Sequence, residues 1–149
     1  LKSFNLPFLQ KNTANVKLSH EGGYQGAYHL MEAKADITAI FCANDNTAIG
    51  AIKAIREKGY RIPEDISIIG VDDIETAQYL SPMLTTVHIP TEEMGQLAAK
   101  ILIDRIEEGH KLPIKMNLPF YLANRESCAP YAEKAQGPEH EHTIPRKEE

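Results

Sequence analysis

The fold is decided by residues 37–71, which begin with the run ITAIFC (37–42) and end with ISIIGV (66–71). Both runs are short and almost continuously apolar, which is typical of strands buried on both faces of a parallel sheet. Between them, apolar residues recur at the spacing of one helix face, at Ala48, Ala51, Ile52 and Ile55. Gly59 stands where a left-handed helix cap belongs. The stretch therefore predicts strand, helix, strand.

The same alternation continues on both sides of this stretch. A helix is predicted over residues 22–33, and a third, more polar strand over residues 85–89. A further helix follows from Thr91, with a predicted buried face at Met94, Ala98, Ile101, Leu102 and Ile106. Residues 116–123 form a last extended stretch. Strands that alternate with amphipathic helices predict an α/β fold with an open parallel sheet.

Length and composition predict one ordinary globular domain. The chain has 149 residues, of which 42% are hydrophobic and 25% are charged. No apolar run approaches the roughly 18 residues of a membrane span, so no membrane partner is expected. Only Cys42 and Cys128 are present, which favours a reducing compartment and a cytoplasmic location. The net charge of −5 makes the segment a poor surface for nucleic acid.

The two ends of the chain differ from its middle. Residues 130–149 are poor in large aliphatic side chains, and this composition predicts a disordered tail. Within it, His140 and His142 could bind a metal ion, but a solvated tail is the favoured interpretation. The chain does not begin with Met, so we expect it to be part of a longer protein.

Polar pairs follow the first two strands and mark the candidate site. Ligands of open α/β sheets bind beyond the carboxyl ends of the strands, where Asn44-Asp45 and Asp72-Asp73 stand. Asp45 could face the ligand or simply cap the next helix. Asn44 lies one residue further from the helix, and we expect it to face the cleft. Its amide offers both a donor and an acceptor to a sugar hydroxyl or a base edge.

Asp72 and Asp73 admit three interpretations: acid–base catalysis, metal binding, or acceptance of hydrogen bonds from a polyol or an amine. Successive residues of a strand point to opposite sides, so the two carboxylates are not expected to share a substrate atom. We expect one carboxylate in the cleft, with its neighbour bound to local backbone. The sequence has no phosphate-binding glycine loop, no nucleophile elbow and no zinc-spaced histidines. We therefore predict no cofactor, no metal site and no enzyme.

Five phrases of the sequence resemble the LacI/GalR family of bacterial transcription regulators. Residues 36–51 (DITAIFCANDNTAIGA) are similar to its "tAifaaND-x-x-A-x-Ga" signature, and residues 59–73 (GYRIPEDISIIGVDD) to its "G-x-x-vPeDvsviGfDd". Residues 81–87 (SPMLTTV), 95–103 (GQLAAKILI) and 125–127 (RES) resemble three further phrases. The resemblance covers about residues 16–129 in order.

The resemblance implies part of a three-layer lobe of the type I periplasmic-binding-protein-like fold. Residues 16–129 would form this incomplete effector-binding and dimerisation lobe, and residues 1–15 would be a truncated remnant that precedes it. The helix-turn-helix and the strands of the family's first lobe have no counterpart in this sequence.

The family's ligand contacts fall on Asn44 and Asp72 in this sequence. Two further positions depart from the family: Leu18 stands where an aromatic residue often stacks on the ligand, and Ile89 stands where many members have Gln. Both departures make the site more apolar and leave the effector unassigned. The family's dimer contacts fall on residues 47–55 and 76–80, and the residues expected in a homodimer interface are Ala48, Ile49, Ile52, Tyr79 and Leu80.

The leading hypothesis is the effector-binding and dimerisation part of a cytoplasmic transcription regulator, either a repressor or an activator. A small effector, such as a sugar, a nucleobase or a related metabolite, would control DNA binding by a head domain outside this chain. A sugar-binding protein of a transport system is the alternative, and the sequence upstream of Leu1 would discriminate the two. An enzyme that uses Asp72 and Asp73 as acid and base is the third hypothesis. Operator DNA is expected as a partner only through the missing head.

Overall fold

The computed structural model describes residues 8–33, 37–107, 109 and 112–131. The helices are α1 (His20–Glu32), α2 (Asp45–Glu57) and α3 (Thr91–Glu107), with short 3-10 helices at Gln10–Asn12 and Glu75–Gln78. The strands are β1 (Ala39–Phe41), β2 (Ser67–Asp72), β3 (Thr85–His88) and β4 (Tyr121–Ala123). Residues 1–7, 132–149 of the predicted tail, and the histidine pair in that tail lie outside the described residues.

The four strands form one sheet in the order β1-β2-β3-β4. The first three strands are parallel, which confirms the predicted sheet. Of the extended stretch predicted at 116–123, only β4 joins the sheet, and it runs antiparallel to β3. The register pairs Phe41 with Ile69, and Asp72 with His88, so the carboxyl ends of the parallel strands lie at one edge.

Helices α1 and α2 pack against each other beside the sheet, and their backbones come into direct contact. A Cβ atom at Gly50 would lie 1.8 Å from the backbone oxygen of His20, and one at Gly23 would lie 2.0 Å from that of Thr47. Only glycine permits two helix backbones to approach this closely. The predicted cap at Gly59 is confirmed by its φ of +83° and by its amide, which donates to the Arg56 carbonyl.

One face of strand β1 is exposed, which differs from the predicted burial on both faces. Ile40 is buried against the helices, whereas the Phe41 side chain on the opposite face is 69% exposed. Alternate side chains of a strand point to opposite faces, and α1 and α2 cover only one of them. Among the described residues, no other element covers the second face of β1 as α1 and α2 cover the first.

Helix α3 forms where the pattern predicts it, but none of its residues is buried. The prediction of a buried face on this helix is therefore wrong for the described part of the chain. An amphipathic pattern determines which face of a helix seeks burial, but not which element covers that face. The apolar residues of α3 border an open groove of about 630 Å³ shared with residues 116–118 and Phe120. No helix of the described residues is long and apolar enough to cross a membrane.

Candidate functional site

The carboxyl edge of the sheet brings Asn44 and Asp72 to the same level. Phe41 of β1 is paired with Ile69 of β2, and three residues beyond each of them stand Asn44 and Asp72. In the next strand, His88 is paired with Asp72, and Tyr121 of β4 with His88. The two residues predicted to bind a ligand are therefore neighbours along one edge. Whether they bind an effector stays a prediction.

Asn44 caps helix α2, so the alternative that Asp45 caps this helix is corrected. The Asn44 Oδ1 atom accepts a hydrogen bond of 3.0 Å from the Thr47 amide, and the Thr47 hydroxyl accepts one from the Asn44 amide. This reciprocal arrangement is a capping box. The cap uses the acceptor of the Asn44 side chain, so the Nδ2 group is the part of the amide that can donate to a ligand.

Asp45 is a buried anchor, with an exposed fraction of 0%. Its Oδ1 atom accepts a 2.6 Å hydrogen bond from the Thr86 hydroxyl, and its Oδ2 atom accepts a 3.0 Å bond from the Ile74 amide. A Cβ atom at Gly70 would lie 2.1 Å from Oδ1, so the glycine in β2 makes room for the carboxylate. Asp45 therefore ties the start of α2 to β3 and to the chain beyond β2. It holds the edge together and does not face a ligand.

Burial raises the pKa of Asp45 above its ordinary value, because the charged form loses its hydration. The hydrogen bonds from Thr86 and Ile74 oppose this rise. Among the described residues, no buried side-chain nitrogen or oxygen lacks a hydrogen-bond partner. The polar groups under the edge are thus mutually satisfied.

The backbone turns left-handed at the two carboxylates that follow β2. Asp72 has a φ of +111° and Asp73 a φ of +56°, and residues with side chains rarely adopt such angles. Each conformation of this kind costs on the order of 1–3 kcal/mol and persists only where the surroundings enforce it. Strained residues of this type are frequent at ligand sites, so the geometry favours Asp72 as a functional residue.

Asp73 is held by two side chains from distant parts of the chain. Its Oδ1 atom lies 2.5 Å from Nη2 of Arg125, and its Oδ2 atom lies 2.9 Å from Nδ1 of His88. The expectation that this carboxylate binds local backbone is corrected: it anchors strands β2 and β3 to the segment after β4. Burial alone would raise the pKa of Asp73, but the bonds and charges of Arg125 and His88 outweigh it and lower the pKa. A carboxylate so engaged is a poor partner for acid–base catalysis.

The lowered pKa of Asp73 predicts an acid-sensitive contribution to stability. The pKa is lower in the folded lobe than in the unfolded chain, so the charged form stabilises the fold at neutral pH. This contribution is complete above the unfolded value of about 4 and is lost as the pH falls through the folded value. Urea unfolding of the wild type and of Asp73→Asn should therefore differ at pH 7 and converge in acid. A difference that stays constant with pH would contradict the prediction.

Leu18 and Ile89, the other two predicted ligand positions, border different cavities. Leu18 is exposed and borders a cavity of about 710 Å³ between residues 12–16 and strand β1. Ile89 borders the groove beside α3. The structure therefore places Asn44 and Asp72 on one sheet edge. Neither of them lines the cavity beside Leu18 or the groove beside Ile89.

The residues predicted for a dimer interface divide into two groups. Ala48 and Ile52 belong to the hydrophobic core, so they cannot form a surface and this part of the prediction is corrected. The reason is that α1 covers a second side of α2, which leaves the helix buried over most of its circumference. Ile49 and Leu80 are half-buried, whereas Tyr79 is 79% exposed. Of the residues predicted for the interface, Ile49, Leu80 and Tyr79 therefore have surface that a dimer partner could contact.

Chemistry beyond binding has little support among the described residues. Burial raises the pKa of the Cys42 thiol to about 12, so it stays protonated and is a weak nucleophile. No group of three or more His, Cys, Asp or Glu side chains in the described part of the chain could hold a metal ion. The edge offers hydrogen-bonding groups suited to a small polar ligand.

Sequence reasoning missed the network beneath the edge, which consists of Thr86, His88, Tyr121 and Arg125. The rings of His88 and Tyr121 stack with centroids 4.5 Å apart. These residues come from β3, β4 and the loop after it, and no short motif links them to Asp73. Thr86 and Arg125 lie in two of the phrases that resemble the LacI/GalR family, but the phrases do not show which side chains contact each other.

The fold and the edge together define a lobe of an α/β ligand-binding domain. Residues 8–128 match the family described as periplasmic binding protein-like domain. Among curated proteins, the HTH-type transcriptional repressor PurR of Photorhabdus laumondii subsp. laumondii is 43% identical over 106 residues, which are 71% of this chain and 31% of that protein. The chain thus belongs to the LacI/GalR family of transcription regulators.

Two solved structures support this assignment. The cellobiose complex of the transcriptional regulator CelR aligns with a TM-score of 0.81 and 29% identity over 85% of this chain and 38% of that one. A LacI family regulator from Enterococcus faecium with bound ribose aligns with a TM-score of 0.73 and 39% identity over 78% of this chain and 43% of that one. The chain spans 31% to 38% of the length of the PurR relatives.

Proposed function

We propose that this chain is the effector-binding and dimerisation portion of a LacI-type transcription regulator. A small polar effector would bind at the carboxyl edge of the sheet, with Asn44 and Asp72 as hydrogen-bonding groups. Binding would favour one arrangement of the effector domain and so shift the DNA affinity of a head domain outside this chain. Operation in the cytoplasm belongs to the same proposal, because operator DNA is there.

The observation that carries the proposal is the left-handed backbone of Asp72 at the same sheet edge as Asn44, the residue that caps α2. Asp72 has a φ of +111°, and its neighbours Asp45 and Asp73 are fully engaged in internal hydrogen bonds. A strained carboxylate on an otherwise satisfied edge is the arrangement expected of a group reserved for a ligand. The relatives bind cellobiose and ribose, and such sugars present the hydroxyl donors that a carboxylate accepts.

Replacement of Asp72 by Ala should weaken effector binding by about 10- to 100-fold. A carboxylate that accepts ligand hydrogen bonds contributes about 1–3 kcal/mol to affinity. The measurement is calorimetric titration of cellobiose, ribose and free nucleobases into the longest protein that the gene encodes, with Glu64→Ala as an exposed acidic control. An unchanged dissociation constant for Asp72→Ala, with a binding probe in hand, would refute the assignment.

A homodimer is proposed through the outer side of α2 and the loop that follows β2. Ile49 is the apolar residue on the side of α2 that also carries exposed Asn46 and Lys53, and Tyr79 is an exposed aromatic residue in the loop. A two-fold interface is the commonest arrangement of soluble oligomers. We expect Ile49→Glu to weaken the dimer, because a charge would enter a desolvated contact.

Light scattering over a range of concentrations checks the dimer. The wild type should change from monomer to dimer at a lower concentration than Ile49→Glu, and Lys100→Glu on the exposed α3 should match the wild type. A monomer at all concentrations, with and without the substitution, would end this part of the proposal.

The transport alternative is not favoured by the comparisons, because the relatives reported above are transcription regulators. An enzymatic role for Asp72 and Asp73 is disfavoured by the engagement of Asp73 with Arg125 and His88. Operator binding is assigned to the head domain outside this chain. With a net charge of −5, the chain alone should not retard operator DNA in a gel.

A further inference from the structure

The left-handed turn at Asp72 and Asp73 requires something that holds it in place. Two consecutive residues with side chains have positive φ angles, +111° and +56°, although an extended chain at the end of β2 would be easier to form. Such a conformation persists only where the surrounding contacts over-determine it. Asp72 itself is half-exposed, and the contacts that hold the turn act on the residues after it. The Asp73 amide donates a 3.4 Å bond to the Thr86 hydroxyl and the Ile74 amide donates to Asp45, while the Asp73 side chain is held separately.

Arg125 makes the most extensive set of contacts that reach Asp73. Its Nη2 atom lies 2.5 Å from the Asp73 carboxylate, and its Nη1 atom donates a 2.9 Å bond to the Leu84 carbonyl. Its backbone amide donates a 3.0 Å bond to the hydroxyl of Thr85. The guanidinium therefore links Leu84, the residue before β3, to Asp73 in the turn after β2.

His88 also contacts Asp73, but it is the weaker candidate for the constraint. The His88 side chain is 30% exposed, against 15% for Arg125, and it carries a charge only when it is protonated. A guanidinium keeps its charge throughout the physiological pH range and binds with a rigid fork of donors. Removal of Arg125 would leave the Asp73 carboxylate, which is 8% exposed, with a buried charge and no permanent cation beside it.

We propose that Arg125 is a positioning residue: through Asp73 it holds Asp72 in the left-handed conformation that presents the Asp72 carboxylate at the effector edge. The inference rests on the proposed function, because that function assigns Asp72 to the effector. It predicts that the Asp73 side chain becomes exposed to solvent when Arg125 is replaced. The turn then relaxes to an extended backbone, and the carboxylate of Asp72 moves away from Asn44.

The test reads the backbone of Asp72 directly by NMR of the whole chain and needs no effector. The three-bond coupling between the amide and α protons of Asp72 is small at a φ near +111° and large in an extended strand. We expect a small coupling in the wild type, a large one in Arg125→Gln and an intermediate one in Arg125→Lys, which keeps the charge but loses the fork. The amide shifts of Ile55 and Ile68 in the core should stay as they are.

Arg61→Gln is the matched control, because it removes another arginine that is paired with an aspartate, Asp65, far from the turn. It should leave the coupling of Asp72 unchanged. An unchanged coupling in a folded Arg125→Gln would overturn the proposal. Loss of folding in both Arg125 variants would also overturn it, since Arg125 would then serve the whole lobe. Because no effector enters the measurement, failure here is distinct from failure of the calorimetric test of the proposed function.

Discussion

Gly50→Ala should destabilise the lobe by about 3 kcal/mol, the upper end of the usual cost of overpacking, although glycine to alanine inside a helix ordinarily stabilises it. A Cβ atom at this position would lie 1.8 Å from the carbonyl oxygen of His20 and 2.8 Å from the amide of Tyr24. Both atoms belong to the backbone of α1, so no side-chain rotation can relieve the contact. The two helices would have to separate, and the packing around Ala51 and Ile52 would be lost with the close approach.

Gly95→Ala provides a matched comparison in the same chain. Gly95 also lies inside a helix, but nothing stands within 4 Å of the Cβ atom that the substitution would add. Alanine should therefore stabilise α3 by about 0.5–1 kcal/mol through its higher helix propensity. Urea unfolding of the two variants should give shifts of opposite sign. A stabilised Gly50→Ala would show that the helices do not approach each other as closely as described.

The βαβ core was predictable because its signals are local. The apolar runs at 37–42 and 66–71, the period of α2 and the glycine after it each depend on residues within a few positions of one another. The structure confirms the strands and the left-handed Gly59. The common edge of Asn44 and Asp72 followed from the rule that parallel strands end on one side.

The remaining features depend on contacts between distant segments. Nothing near Asp45 in the sequence indicates that Gly70 makes room for it or that Thr86 donates to it. The burial of Ala48 and Ile52 depends on the close packing of α1 against α2. Gly23 and Gly50 permit this packing, and the apolar period of α2 does not reveal it. The pattern of α3 predicted a buried apolar face, but among the described residues no element covers it.

Asp45→Ala should cost about 3–5 kcal/mol of unfolding free energy, a large part of the total for a domain of this size. The carboxylate accepts hydrogen bonds from the Thr86 hydroxyl at 2.6 Å and the Ile74 amide at 3.0 Å, and it has no exposed surface. Alanine would leave both donors buried without an acceptor, and each unsatisfied group costs about 1–3 kcal/mol. The space that Gly70 keeps open would become a cavity and add to the loss.

Asp45→Asn tests the loss of one hydrogen-bond acceptor without a loss of side-chain volume. The amide has nearly the volume of the carboxylate but only one acceptor oxygen, so either Thr86 or Ile74 would face an NH₂ group. Its loss of stability should therefore be smaller than that of alanine but clearly measurable in urea unfolding. Asp72→Ala is the control, because it removes a carboxylate at the same edge and breaks none of the hydrogen bonds of Asp45. Equal, small effects of Asp45→Ala and Asp72→Ala would contradict the role of Asp45 as the anchor. A large loss of stability for Asp45→Ala alone would mean that Asp45 stabilises the edge, whereas the Asp72 side chain is not needed for folding and is available to bind the effector.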